Sequence, residues 1–161
     1  DWDKIHITDH QKSLIQVNHN IIEAIAEGVV SGFLEGILDT KINRLAVFRP
    51  SLSNQEIMGV MQTIHSYLGN QYDFSFDFND AESQVCTEVI YRGYNEIGDI
   101  QFGLSKRAGT LNLSAEDVCR YAINSGNMEL VTLIVEDEYR KGKTRFVSPE
   151  NGVEIILALM N

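Results

Sequence analysis

Short apolar runs separated by polar turn residues occupy the first third of the chain, a pattern that is typical of short strands. The run His10–Val17 ends in apolar residues, turn-forming residues follow at 18–20, and a second apolar run occupies Ile21–Ile25. Two such runs around a polar turn predict a β-hairpin. A short helix over Ser31–Leu38 and a third strand over Arg44–Arg49 are predicted next.

A helical period follows the third strand. Ser53 and Glu56 have the spacing of a capping box, and apolar residues then recur on one face as far as Leu68. Gly69 is expected to end this helix. The next segment, Tyr72–Phe78, alternates aromatic and polar residues, which predicts an extended stretch with its phenylalanines on one side.

Two more helices are predicted in the second half of the chain. One begins near Val85–Glu88, and another begins at Ser114 with an acidic residue three positions later. The run Leu130–Val135 fits a strand or a buried helix equally, because periodicity does not separate the two over so short a run. The terminal apolar run Val153–Met160 is ambiguous in the same way. Together these elements indicate an α+β fold.

Length and composition indicate one domain. The chain has 161 residues, of which 43% are hydrophobic. That is enough for one well-buried core and too little for two comfortable domains. With two prolines and no repeat or low-complexity tract, nothing marks an internal linker. We therefore expect a single domain over residues 1–161.

The charge balance excludes some partners. Thirteen Lys and Arg residues against 23 Asp and Glu give a net charge of −10, which repels nucleic acid and anionic membrane surfaces. The densest basic run, 140–145, is typical of a solvated turn. No apolar stretch approaches the roughly 20 residues of a spanning helix, so no stable membrane insertion is expected. The compartment stays open between the bacterial cytoplasm and, if a signal was removed, the periplasm or cell envelope.

The chain has two cysteines, and they differ in their surroundings. Cys86 lies at the predicted start of a helix, where unpaired amide groups and the positive end of the dipole favour the thiolate. The alternative for any free cysteine is a small buried hydrophobe. Cys119 lies inside a predicted helix without a neighbouring motif, which favours packing.

The residues on either side of Cys86 form two motifs. These are Leu-Gly-Asn-Gln-Tyr-Asp-Phe at 68–74 and Cys-Thr-Glu at 86–88. They resemble the YiiX-like family of permuted papain-fold hydrolases, relatives of the NlpC-type cell-wall peptidases, in which Cys-Ser-Glu opens the nucleophile helix. Here Thr87 replaces the serine. The resemblance implies a papain-like α+β fold of the circularly permuted NlpC type, with an antiparallel sheet packed against the nucleophile helix.

The same resemblance implies the roles of three residues. Cys86 is then the nucleophile, His10 the general base, and Glu23 the carboxylate that orients the imidazole. The family places its histidine on a strand paired with a strand that ends in Glu-Ala before Gly-Val, which this chain matches at 23–24 and 28–29. A hairpin can bring the start of one strand beside the end of its partner.

Other histidines compete for these roles. His6 lies four residues before His10 and takes its place if the strand register is shifted. His6 and His10 with Asp9 are also possible metal ligands, but the chain has no paired-cysteine motif or confident helical His-x-x-x-His, so no metal and no cofactor are expected. His19 and His65 are interpreted as solvated.

Several residues near the motifs have weaker interpretations. The resemblance gives Tyr72 a part in positioning substrate or polarising its carbonyl, beside an oxyanion donor at the backbone N–H of Cys86. Glu88 matches the family pattern, but its position is equally explained by the helix dipole. Asp73 is interpreted as solvated, and the phenylalanines at 74, 76 and 78 as core or pocket wall.

The resemblance implies a thiol hydrolase, or cysteine peptidase, that cleaves an amide or ester bond. Peptide, amino-acid amide and lipid-acyl substrates all stay open. So do two alternatives, an acyltransferase on the same fold and a catalytically silent binding module. Family members have a strand and a helix before their histidine, whereas residues 1–9 alone precede His10, so the expected domain lacks those elements. The oligomeric state is not indicated.

Overall fold

The structure of the protein is a computed structural model, which describes residues 5–40, 42–79, 82–107, 109–137, 140 and 142–160. These residues form a mixed α+β structure whose sheets are antiparallel apart from one short parallel pair. Its six helices are α1 (Asp9–Ser13), α2 (Leu34–Leu38), α3 (Asn54–Ser66), α4 (Cys86–Tyr94), α5 (Ala115–Asn124) and α6 (Pro149–Leu159). Its strands are β1 (Ile21–Ile25), β2 (Gly28–Gly32), β3 (Arg44–Pro50), β4 (Gln71–Tyr72), β5 (Ser83–Gln84), β6 (Ser105–Arg107), β7 (Thr110–Asn112), β8 (Met128–Glu136) and β9 (Thr144–Val147).

The chain groups into two compact units. The first comprises the residues up to Leu34 together with Leu52–Ser114, and the second comprises Glu35–Ser51 and the chain from Ala115 onward. Each unit has a hydrophobic core cluster of its own. The single domain expected from the length of the chain stays a prediction.

A tight hairpin organises the first unit. β1 pairs antiparallel with β2 up to Ile25 opposite Gly28, so residues 26–27 form its turn. Gly28 has a φ of +112°, and a Cβ there would lie 2.4 Å from the carbonyl oxygen of Asn70. That oxygen also accepts a hydrogen bond from the backbone N–H of Val29 at 2.9 Å. The position therefore requires glycine.

Replacing Gly28 by alanine is expected to lower the free energy of unfolding by about 2 kcal/mol or more, because the new methyl group adds a clash to a strained φ. Urea denaturation followed by circular dichroism measures this loss. Gly59→Ala is the control, since a Cβ at this position in α3 meets nothing within 4 Å. That variant should gain up to about 1 kcal/mol. Equal effects at both glycines would contradict the close approach.

The prediction that His10–Val17 forms a strand paired with β1 is wrong. The run His10–Val17 is predicted as a strand, but α1 occupies its first part and β1 pairs with β2 instead. The side chain of Thr8 accepts a hydrogen bond from the N–H of Gln11, whose side chain accepts one from the N–H of Thr8. This capping box starts a helix just before His10. His10 therefore lies on an exposed helix, not on a strand.

Helices α3 and α4 pack against each other and confirm the two helices predicted in this part of the chain. Ser53 and Glu56 form the predicted capping box at the start of α3. At Gly93 of α4, a Cβ would lie 2.7 Å from Cγ1 of Ile64, so glycine permits the close approach. The core cluster of this unit joins α4 to the hairpin through four buried residues: Ala24, Val29, Leu68 and Val89.

A three-stranded antiparallel sheet organises the second unit. β8 is its central strand, between β3 and β9, and α5 and α6 both pack on β8. The run Leu130–Val135 is therefore a strand, and most of Val153–Met160 lies in α6. The core cluster consists of Leu130, Leu133, Val135, Val147 and Ile156.

The basic run at 140–145 lies between β8 and β9 and continues into β9. Arg140 pairs with the carboxylate of Asp137 at 2.7 Å, and the N–H of Lys143 donates to the carbonyl of Arg140. Residue 141 of this run lies outside the described residues. Arg140, Gly142 and Lys143 therefore lie in the predicted turn, whereas Thr144 and Arg145 belong to β9.

Candidate active site

Cys86 is the first residue of α4, and its side chain is exposed. β5 leads into this helix through Val85, the N-cap residue, which has an extended backbone. The next two residues, Thr87 and Glu88, are buried, so Cys86 is the part of the first turn that faces outward. The N–H groups of a first helical turn lack intrahelical partners and favour negative charge. The predicted position of Cys86 at a helix start is confirmed.

Cys119 has different surroundings. It is partly buried in α5 and packs against the core of the second unit. Burial raises the pKa of its thiol, and the nearby carboxylate of Glu116 raises it further. At neutral pH this thiol therefore stays protonated. The packing predicted for Cys119 is confirmed.

Tyr72 lies within electrostatic reach of Cys86. The parallel pair of β4 and β5 sets Tyr72 opposite Gln84, two residues before Cys86. Burial raises the pKa of the Tyr72 hydroxyl, and electrostatic interactions with Cys86 and Asp73 raise it further. The phenol therefore stays protonated at neutral pH and can donate a hydrogen bond. Tyr72 and Cys86 are therefore close enough to interact electrostatically.

Asp73 shapes the loop that follows Tyr72. Its buried carboxylate accepts hydrogen bonds from the hydroxyl of Ser75 and from the backbone N–H groups of residues 75–77. Burial by itself raises the pKa of Asp73, but these hydrogen bonds together hold it below its usual range. The extended stretch predicted here ends at Tyr72. The carboxylate of Asp73 binds the following N–H groups in a turn, whereas in a strand those N–H groups would bond to a neighbouring strand. The interpretation of Asp73 as solvated is also wrong.

This turn exposes two phenylalanines beside Tyr72. The ring centroid of Tyr72 lies 4.9 Å from that of Phe74 and 6.4 Å from that of Phe76, both edge to face. Phe74 is 72% exposed and Phe76 is 49% exposed, so neither is a core residue. Phe76 has a φ of +56°, which costs a residue with a Cβ about 1 kcal/mol or more. Tyr72, Phe74 and Phe76 are called the aromatic cluster below.

His10 lies beside the end of α3. Its Nε2 is 3.8 Å from the position that a Cβ on Gly69 would occupy, three residues before Tyr72. Within the part of the chain that the structure describes, no hydrogen bond joins the imidazole of His10 to Cys86 or to Glu23. The role of His10 as general base stays a prediction.

Glu23 lies in the middle of β1. Its Oε1 is 3.1 Å from the position of a Cβ on Gly32, so the carboxylate lies over β2. The next residue, Ala24, belongs to the core cluster that includes Val89 of α4. Neighbouring side chains on a strand point to opposite faces, so Glu23 faces away from α4. Its role in orienting a histidine stays a prediction.

Two other histidines are less exposed than the sequence indicates. His65 is buried, and its Nδ1 donates to the carbonyl of Met61 at 2.6 Å. His19 is partly buried, and its Nδ1 lies 2.5 Å from the hydroxyl of Ser31, which donates to the carbonyl of Leu14. The interpretation of both as solvated side chains is wrong.

The alternative base His6 is exposed, and its backbone N–H donates to Oε1 of Gln62 at 2.6 Å. Among the described residues, no three His, Cys, Asp or Glu side chains are grouped so that they could hold a metal ion. In the same ranges, no helix has both the length and the apolar character needed to cross a bilayer.

Glu88 is part of a buried network that the sequence reasoning missed. Its side chain is fully buried, its Oε2 accepts from the N–H of Val85 at 2.8 Å, and its Oε1 lies 3.2 Å from Nη2 of Arg92. Burial raises the pKa of Glu88, although the N–H of Val85 and the guanidinium of Arg92 oppose that rise. The sequence indicates this pair through the spacing of Arg92, which follows Glu88 by four residues and so lies on the same side of the helix.

Comparison with known proteins supports part of the resemblance. The chain is 33% identical over 67 residues to "Uncharacterized protein YiiX" of Escherichia coli (strain K12). Over that segment the chain is YiiX-like. The match covers 42% of this chain and 33% of the relative, so it spans about a third of the relative's length. No family model and no solved structure matches the chain.

Proposed function

We propose that this protein is a thiol hydrolase with a permuted papain-like fold of the NlpC type, and that Cys86 is its nucleophile. The observation that carries the proposal is the position of Cys86, exposed at the start of α4 and within electrostatic reach of the hydroxyl of Tyr72. The YiiX-like similarity over 67 residues supports the family resemblance on which the proposal rests.

In the proposed reaction the Cys86 sulfur attacks a carbonyl carbon after His10 takes the thiol proton. The backbone N–H of Cys86 and the hydroxyl of Tyr72 donate hydrogen bonds to the oxygen that becomes negative. The bond from the carbonyl carbon to the leaving nitrogen or oxygen then breaks, and the leaving group takes the proton from His10. Water hydrolyses the thioester and regenerates the thiol. Glu23 orients His10 in this proposal.

The aromatic cluster indicates which substrates fit. Phe74 and Phe76 present large apolar surfaces to solvent next to Tyr72, and the strained backbone of Phe76 holds one of them there. Exposed apolar area gains about 25 cal/mol per Å² when a ligand covers it. Among the open classes, the cluster favours a lipid-acyl group or a peptide with an apolar side chain beside the scissile carbonyl.

An acyl-trapping experiment tests the proposal. The protein is mixed with the p-nitrophenyl ester of octanoic acid, quenched in acid, and analysed by intact and peptide mass spectrometry. We expect one octanoyl group on the peptide that contains Cys86 and none on the peptide that contains Cys119, the internal control. An amine added as acceptor separates transfer from hydrolysis by the mass of the product. Equal labelling of both cysteines would contradict an activated Cys86.

One observation favours a catalytically silent binding module as the second candidate. Among the described residues, no hydrogen bond joins Cys86 to a histidine. A module of this kind binds the octanoyl ester or its amide at the aromatic cluster but forms no thioester. Saturable binding by ligand-observed NMR, with no mass adduct on Cys86, would favour this candidate over the hydrolase.

Replacing Tyr72 by phenylalanine is expected to lower kcat/KM for the octanoyl ester by about a hundredfold, because the oxyanion loses one of its two donors while the ring stays in place. Stopped-flow release of p-nitrophenol measures the change. Tyr67→Phe is the control, since Tyr67 packs against the core of the same unit. An unchanged rate in Tyr72→Phe would remove the hydroxyl from the mechanism.

A further inference from the structure

A cavity of about 840 Å³ lies in the second unit, within the part of the chain that the structure describes. Its aliphatic lining comes from β8, from α6 and from the segment before β3, through Val135, Ile155, Leu159 and Ile42. Arg44 and Arg145 also line it. An apolar lining with a few charged groups is typical of a site for an amphiphile.

The register of the sheet sets the two arginines on one side. Arg44 of β3 is directly opposite Val135 of β8, and Val135 is directly opposite Arg145 of β9. Residues opposite one another in a sheet point to the same face. With about 4.8 Å between strands, the Cα atoms of the arginines are roughly 10 Å apart. Two arginine side chains at that separation can both donate hydrogen bonds to one small anionic head group.

Among the described residues of this unit, none pairs with the arginines that line the cavity. Among the described residues, neither Arg44 nor Arg145 makes a side-chain hydrogen bond or an ion pair, and both are exposed. Glu136 also lines the cavity, but its Oε1 accepts from the N–H of Gly142 at 3.2 Å, at the turn after β8. The described lining residues, two arginines and one glutamate, carry a net charge of +1 in a chain whose net charge is −10.

We propose that this cavity binds an aliphatic monocarboxylate. The carboxylate lies between the guanidinium groups of Arg44 and Arg145, whose forked donors match its two oxygens. The aliphatic tail of this ligand covers Val135, Ile155 and Leu159 in the apolar lining of the cavity. The local charge of +1 suits a monoanion better than a dianion. This site uses no residue of the thiol site.

Calorimetric titration with decanoate, below its micelle concentration and at low salt, tests the proposal. We expect saturable binding of one decanoate per chain, weaker at high salt because the arginines are exposed. Arg44→Gln and Arg145→Gln should each weaken the binding about tenfold, because each removes a charge-assisted pair. Arg49→Gln is the matched control, since Arg49 is an exposed arginine of β3 that does not line the cavity. It should change the affinity less than about twofold.

The length of the ligand's aliphatic tail tests the apolar lining of the cavity separately from its arginines. If the tail is buried, each methylene added between hexanoate and decanoate should strengthen binding up to about fourfold. Three results would overturn the proposal: no saturable binding of decanoate, equal weakening by Arg49→Gln, or equal binding of decanoate and the neutral 1-decanol. Each variant is first shown by thermal unfolding to keep the wild-type midpoint, so that a loss of binding is not a loss of the fold.

Discussion

Replacing Cys86 by alanine is expected to lower kcat/KM for p-nitrophenyl octanoate by at least about a thousandfold. The proposed reaction passes through a thioester on Cys86, so the variant retains only the rate that binding and the oxyanion donors supply. The exposed thiol fills no core position, so its removal should leave the fold intact. Release of p-nitrophenol at neutral pH measures the rate, and the thermal midpoint checks the fold.

Cys119→Ala is the matched control for this experiment. Cys119 is the second cysteine of the chain, and its thiol, whose pKa is raised by burial, stays protonated at neutral pH. The variant should therefore hydrolyse the ester within about twofold of the wild-type rate. If Cys86→Ala keeps the wild-type rate, or if Cys119→Ala loses it, Cys86 is not the nucleophile.

Local signals explain the part of the fold that the sequence predicts correctly. The capping box of Ser53 and Glu56 and the apolar period behind it lie within a few residues of each other, and α3 begins where they indicate. The start of α4 at Cys86 depends on similarly local information. The sequence pattern does not predict α1, because the apolar residues after Gln11 favour a strand. The capping box that Thr8 and Gln11 form is the local signal for this helix.

Several features of the site depend on contacts that the pattern of hydrophobic and polar residues does not indicate. Tyr72 comes close to Cys86 through a two-residue parallel pair of strands, for which a periodicity argument gives no signal. The turn around Asp73 depends on a single carboxylate that binds several N–H groups. His65 of α3 is expected to be solvated, but it is buried. Burial is tolerated because its Nδ1 donates a hydrogen bond to the carbonyl of Met61 in the same helix.

Replacing Glu88 by alanine is expected to lower the free energy of unfolding by about 3 kcal/mol. Removing one partner of a buried pair leaves the other charge without its compensation. Here the N–H of Val85 loses its acceptor, and Arg92, whose side chain is 20% exposed, keeps the carbonyl of Phe78 as a partner. The effect therefore lies at the lower end of the range for buried pairs. Urea denaturation at neutral pH measures it.

Glu116→Ala is the matched control for Glu88→Ala. Glu116 and Arg120 of α5 form a pair with the same spacing along the helix, 2.7 Å apart, but both side chains are about half exposed. Surface pairs of this kind contribute roughly 0.3–0.5 kcal/mol. If the two variants lose the same free energy, the burial of Glu88 has no energetic consequence.

The pH dependence of stability separates the charge of Glu88 from its packing. Because burial raises the pKa of Glu88 above the usual 4.5, the folded chain holds its proton more tightly than the unfolded chain does. This contribution is fully present below about pH 4.5 and is lost as the pH rises through the raised pKa. Glu88→Gln cannot titrate, so the stability of the wild type relative to this variant should fall as the pH rises from about 4.5 through the raised pKa. A relative stability that rises with pH would mean that Arg92 and the N–H of Val85 outweigh desolvation, and that the carboxylate is held ionised in the core.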